Sequence, residues 1–254
     1  LITFSIQFNP NAYATYYKKL FKIQDYNIDD LYFEVSIEGL KKNLKSYYPL
    51  RNLDKFKIGV YWIKSGALDI VLKKLPKGKK RIEGEIKIKV LEKLKIFFPK
   101  NEIKNLSKKY SVIKEKGRFV AENKKRYLRK IIFDLNKNNL IGKISLFYPL
   151  NKITREIYYS ANSGENKKFK IIEMKEKHSK YKDLFSKDEK IIYKKQDEFL
   201  LPQKIKVTER VLLKGPNEKK INSGKKYSEF SYEFKFINYE VNKGVSKKHF
   251  KKME

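Results

Sequence analysis

The sequence predicts an α+β fold: one large curved antiparallel sheet with short helices covering its concave side. Three observations lead there. Many runs alternate apolar and polar residues with period two, the pattern of a sheet with one dry face. Short turn signals join most of these runs, so neighbouring strands pair antiparallel. Helical spacing is confined to two stretches, 13–23 and 86–110. The 254 residues, 41% hydrophobic with 17 Phe and 18 Tyr, can bury a substantial core despite 35% charge.

Leu1–Phe8 is mostly apolar and is followed by Ala12-Tyr13-Ala14. An apolar run ending in small-x-small reads as the end of a secretory signal peptide, so residues 1–14 are expected to be its remnant and 15–254 a single domain. An ordinary strand leading into a helix is the other reading. Tyr13, Tyr16, Tyr17, Leu20 and Phe21 then form one stripe of a short helix. Leu31, Phe33, Val35 and Ile37 alternate with Tyr32, Glu34, Ser36 and Glu38, and Phe56, Ile58, Val60 and Trp62 repeat the pattern. Ser65-Gly66 predicts a hairpin turn before Leu68–Leu72, and Leu75–Arg81 an exposed loop.

Glu85–Phe98 fits both periods: Ile86, Ile88 and Val90 alternate, while Ile86, Val90, Leu94, Phe97 and Phe98 suit a helix. Pro99 ends it either way. Asn101 is placed to cap a second short helix with Ile103, Leu106 and Tyr110 on one face. Further strands are expected at Ser111–Ala121, broken at Lys116-Gly117, and at Tyr127–Leu135. Others follow at Ile144–Tyr148, Ile153–Tyr159 and Phe169–Met174. Turns are expected at Asn136–Asn139, at Leu150-Asn151 and at Ala161–Asn166. Lys175–Lys190 is charge-dense and open to a loop or a helix. Ile191–Leu201 and Lys204–Leu213 read as two strands either side of Leu201-Pro202. In Ser231–Phe250, Tyr232, Phe234 and Phe236 lie on one side of a strand, followed by Asn238–Asn242, a Lys-Gly step and a polar tail.

Few chemistries fit this composition. Cysteine is absent, which removes disulfides, thiolate metal sites and thiol nucleophiles. No G-x-S-x-G, H-E-x-x-H, phosphate-binding loop or dinucleotide fingerprint occurs. His178 and His249 lie in Lys-rich segments with no acidic partner at ligand spacing, and Asp29-Asp30 suits a turn or a helix cap. No catalytic or metal-binding residue is therefore assigned, no cofactor is expected, and a non-enzyme is predicted. The net charge of +32 has two readings. An anionic partner is one. The other is compositional bias, because Lys far outnumbers Arg and the charge is spread over the whole chain, where nucleic-acid sites favour Arg forks.

Phe199-Leu-Leu-Pro-Gln-Lys-Ile205, Phe234–Asn242 and the trailing Gly244–Phe250 resemble the LolA-like outer-membrane lipoprotein-carrier and lipoprotein-sorting superfamily. The resemblance extends over 15–250 in the rhythm of its elements and over 199–250 in wording. It implies an open, incomplete β-barrel closed by short helices, acting as an exported, soluble periplasmic carrier, a monomer, that holds lipid or lipoprotein acyl chains without catalysis. The cavity would be lined by Phe33, Val35, Ile37, Ile58, Val60, Trp62, Ile131, Phe133, Ile144, Leu146, Phe234 and Phe236; an ordinary core would use the same residues. An anionic membrane surface is a further implied partner. A basic nucleic-acid-binding protein and a structural envelope protein with a solid core are the alternatives. Exposing an acyl chain of ~16 carbons costs roughly 13 kcal/mol, so a carrier must cover it with apolar side chains and still release it.

Overall fold

A computed structural model describes residues 27–39, 57–74, 80–98, 109–115, 117–136, 141–160, 170–178, 185–212 and 227–253. The expected signal remnant, the helix at 13–23, the capped helix from Asn101 to Leu106 and the turn at 161–166 lie outside the described residues.

Within them, twelve strands form one sheet, open because β3 and β4 end its order of β3-β2-β1-β12-β11-β10-β9-β8-β7-β6-β5-β4. The strands are β1 (Asp30–Glu38), β2 (Lys57–Ile63), β3 (Leu68–Lys73), β4 (Ser111–Glu115), β5 (Arg118–Glu122), β6 (Lys130–Leu135), β7 (Ile141–Tyr148), β8 (Ile153–Tyr159), β9 (Ile171–His178), β10 (Phe185–Gln196), β11 (Phe199–Leu212) and β12 (Tyr227–Val241). Two helices accompany them, α1 (Lys80–Leu94) and α2 (Val245–Lys251). Neither is long and apolar enough to cross a membrane. The mostly antiparallel sheet was legible in the alternation.

The chain divides into two compact units. One holds β1–β3, α1, α2 and the stretches Ile191–Val207 and Ser231–Val241. Here β1 lies between β2 and β12, pairing Phe33 with Val60, Val35 with Phe236 and Ile37 with Phe234. The β2–β3 hairpin turns where expected, with Gly66 at φ 101 and its N–H donating to the Ile63 carbonyl at 2.9 Å. The two periods of 85–98 resolve as helix: Ile82, Ile86, Val90 and Leu94 are buried at i, i+4 spacing. Ile88, which the strand reading needs on the same side, is 60% exposed. Glu83 and Lys93 sit at the ends where the helix dipole favours them. The helix therefore starts inside the predicted loop Leu75–Arg81.

The other unit holds β4–β9, β10 up to Lys190, and Thr208–Phe230 as far as described. Its β4–β5 hairpin turns at Gly117, φ 70. Ile131 pairs with Leu146 and Phe133 with Ile144 across β6–β7.

Five expectations are corrected or refined. Lys175–Lys190 contributes strand to β9 and β10; ion pairs such as Arg155–Glu176 at 2.8 Å and Lys175–Glu173 at 3.1 Å occupy both faces, so no apolar alternation marks it. The turn between β10 and β11 lies at Asp197, φ 53, and β11 runs through Leu201-Pro202. β12 continues through Asn238–Val241, because Asn238 at φ 55 accommodates a bulge that sets Asn238 and Tyr239 opposite Phe33 alone. The polar tail is helix α2. In β6 the alternation begins at Lys130, not at Tyr127.

Candidate functional site

All twelve residues named from the resemblance are buried. Eight fall in the first unit: Phe33, Val35 and Ile37 on β1, Ile58, Val60 and Trp62 on β2, Phe234 and Phe236 on β12. Leu31 and Ile70 are buried beside them. Ile131, Phe133, Ile144 and Leu146 form a separate buried set in the second unit.

Helix α1 and the turn after it bring side chains onto the first set. Phe97, fully buried, stacks on Phe33 with ring centroids 5.1 Å apart and meets Phe236 edge-on at 5.3 Å. Phe33 and Phe236 also meet edge-on at 5.8 Å, so three rings close on one another. Phe98 lies 5.5 Å from Trp62. Two lysines of α1 reach over this face: Nζ of Lys89 is 5.7 Å from the Tyr232 ring, and Nζ of the buried Lys93 is 5.7 Å from the Phe234 ring. Long lysine stems thereby extend the apolar cover while their ammonium groups sit over ring faces.

The bulge in β12 adds a residue that alternation could not reveal. It brings Tyr239 within 5.2 Å of Phe33, and the Tyr239 hydroxyl donates to the Pro202 carbonyl. Burial, reinforced by Tyr193, pushes this phenol well above its usual range. Tyr239 thus brings to the site a polar group that is already hydrogen-bonded.

The C-terminal segment clips the start of β1 in place. Ser246, fully buried, donates to the Leu31 carbonyl at 2.7 Å and accepts the Trp62 N–H at 3.2 Å. The Asn242 side chain accepts from the Asp29 and Asp30 N–H groups at 2.7 and 3.3 Å and donates to the Asn27 carbonyl at 2.8 Å. A carboxylate oxygen of Asp30, at the start of β1, accepts the Lys247 N–H in the first turn of α2 at 2.7 Å. Asp29 instead meets Lys64 at 3.0 Å, and the hydrogen bond from Lys64 holds its carboxyl below the usual range.

The other side of β1–β3 is polar and aromatic. Tyr32 packs on Tyr61 at 4.9 Å, and Tyr61 stacks on His249 at 3.9 Å. His249 is not without an acidic partner: its Nε2 lies 2.7 Å from Asp69, a residue 180 positions away and invisible to any spacing rule. Burial, then the Glu34 charge, push the Tyr32 phenol up. Burial works to raise the Glu34 carboxyl too. Hydrogen bonds from Asn238 and Tyr32 and the Lys57 ammonium outweigh it and hold that carboxyl below its usual range.

Among the described residues no group of three His, Asp or Glu side chains is placed to hold a metal ion. What the arrangement can do is cover or exchange apolar surface: a sheet face of aromatic and branched residues, closed in part by one short helix and a two-phenylalanine turn. Missing from the predicted set were Phe97, Phe98 and Tyr239; the first two were legible as the end of the helical stripe. No family model, no curated protein and no solved structure matches this chain.

Proposed function

We propose that this protein is a non-catalytic carrier of acyl chains, lipid or lipoprotein, acting in the periplasm as a soluble exported monomer. The supporting observation is the kind of cover the apolar face of β1, β2 and β12 receives: α1 and the rings of Phe97 and Phe98. A helix contributes to a sheet through side chains alone and breaks no ladder hydrogen bonds when it moves. Displacing α1 exchanges one apolar filling for another, which is the condition for binding a chain tightly and still releasing it. In this reading Phe33, Val35, Ile37, Ile58, Val60, Trp62, Phe234 and Phe236 contact the acyl chain, with Phe97 leaving Phe33 and Phe236 as it enters. A curved sheet with its helices on the concave side belongs to the same reading.

A second reading is favoured by the mutual packing of Phe33, Phe97 and Phe236, each at most 1% exposed: a solid core in a structural protein. One experiment separates the two. Protein purified from its native host is extracted with organic solvent and the extract analysed by mass spectrometry, and stripped protein is titrated with a fluorescent fatty acid. Stoichiometric lipid and saturable uptake are expected. An empty protein with no uptake selects the solid core.

A further inference from the structure

We propose that two adjoining loops of the second unit, 123–129 and 149–152, form a docking tip for an anionic lipid surface. The tip is built from local sequence that the sheet folds into one place. The Arg129 N–H donates to the Phe147 carbonyl at 3.1 Å, which ties the first loop to β7 just before the β7–β8 turn. The Tyr127 ring leans on Tyr148 at 5.4 Å, and the Asn151 amide donates to the Tyr127 hydroxyl at 2.6 Å. Tyr110 donates its hydroxyl to the Leu128 carbonyl at 2.9 Å, and Asn123 accepts the Lys125 N–H at 2.9 Å. The loops are thus held by side chains and present a fixed surface.

That surface has the composition of an interfacial anchor. Leu150 stands 71% exposed in the β7–β8 turn and Tyr127 is 50% exposed beside it. Around them Lys124, Lys125, Arg126, Arg129 and Lys152 are all exposed, and neither loop contains an Asp or Glu. Elsewhere in this unit many cations pair with carboxylates, as in Lys143–Asp134 at 2.9 Å and Lys130–Glu122 at 2.8 Å; Glu122, bordering the first loop, also feels the Lys124 charge. An apolar tip with a tyrosine beside it and a ring of lysine and arginine matches the bilayer interface. Tyrosine sits at headgroup level, leucine reaches the acyl boundary, and the cations meet anionic headgroups. A nucleic acid would use the charge but gives Leu150 nothing apolar to bury in. The docking tip stands on these residues alone and does not depend on what the β1–β2–β12 face carries.

The test uses the full chain and vesicles of phosphatidylcholine with or without phosphatidylglycerol, read by co-sedimentation. Binding is expected only with phosphatidylglycerol, weakening as salt rises. Lys124→Ala with Lys125→Ala should weaken it about 30-fold, and Leu150→Ser about 10-fold. The equal charge change at Lys251→Ala with Lys252→Ala, exposed at the end of α2, should shift it less than about 3-fold. Because the chain has no cysteine, Leu150→Cys carrying an environment-sensitive dye reports insertion directly, as a blue shift on anionic vesicles. Equal loss in the control pair, equal binding to pure phosphatidylcholine, or an unshifted dye overturns the proposal. So does retention on short RNA that the tip variants abolish in a protein that ignores vesicles.

Discussion

Phe97→Ala probes the cover and the cargo together. Phe97 is fully buried, stacked on Phe33 and edge-on to Phe236. Truncating a buried phenylalanine to alanine costs about 3–5 kcal/mol, part of it from three lost ring pairs, with Phe33, Phe236 and Phe98, worth about 0.5–1.5 kcal/mol each. A domain is stable by about 5–15 kcal/mol, so the variant should fold with a reduced margin. Trp62, the single tryptophan and buried beside Phe98, reports urea unfolding by its fluorescence. The midpoint should fall with the slope unchanged. If the carrier opens by withdrawing Phe97, the same substitution removes an obstacle to the acyl chain. Apparent affinity scales with the population of the open form, so fatty-acid binding should tighten by at least about tenfold, and ligand should restore most of the lost stability. A loss below about 1 kcal/mol contradicts the packing argument. A full loss with no change in fatty-acid affinity contradicts the displaceable cover and leaves a solid core. Phe97→Leu, costing about 1.5 kcal/mol, repeats the affinity test should the alanine variant not fold.

Three further outcomes follow from the same structure. Ser246→Ala removes the hydroxyl bridging Leu31 and Trp62 in a dry setting, and should cost about 1–3 kcal/mol in urea unfolding; a change within 0.5 kcal/mol, about that of an ordinary surface substitution, would refute the clip. Gly39→Ala places a Cβ 2.7 Å from the Ser231 carbonyl at a φ of +84°, so it should destabilise by more than about 2 kcal/mol, and an unshifted midpoint would exclude that contact. Asp188 is pushed up by burial and then by the Glu173 charge, and its Oδ1 is buried without a partner. With its folded value above the unfolded one, ionisation opposes folding; that penalty is complete above the folded value and absent below the unfolded one. Asp188→Asn should therefore stabilise at pH 7 and lose its advantage as the pH falls through that window, whereas an advantage that persisted at low pH would point to packing instead.

Period-two alternation was enough to place β1, β2, the buried phase of β6–β7 and the Tyr232–Phe236 part of β12, because in each the aliphatic and phenylalanine side chains fall on one face, even where tyrosines bury the other face of β1 and β2 too. The same signal failed at 175–190, where ion pairs occupy both faces, and at Asn238, where a bulge reverses the phase. The helical stripe of α1 was written in residues 82–98, but overlapping periods left it ambiguous until Ile88 was found facing out.

Composition and local pattern determine that this chain builds a mostly antiparallel sheet rich in aromatics on its buried positions and lysines on its exposed ones; that the sheet is open is shown by its strand order. Both placements follow from which side chains water excludes. Tertiary structure alone decided which distant groups meet: Phe97 on Phe33, His249 against Asp69, Ser246 between two strands, and the loops of Tyr127 and Leu150 beside one another. Such contacts depend on strand order, bulges and chain return, and no local period in the sequence encodes those.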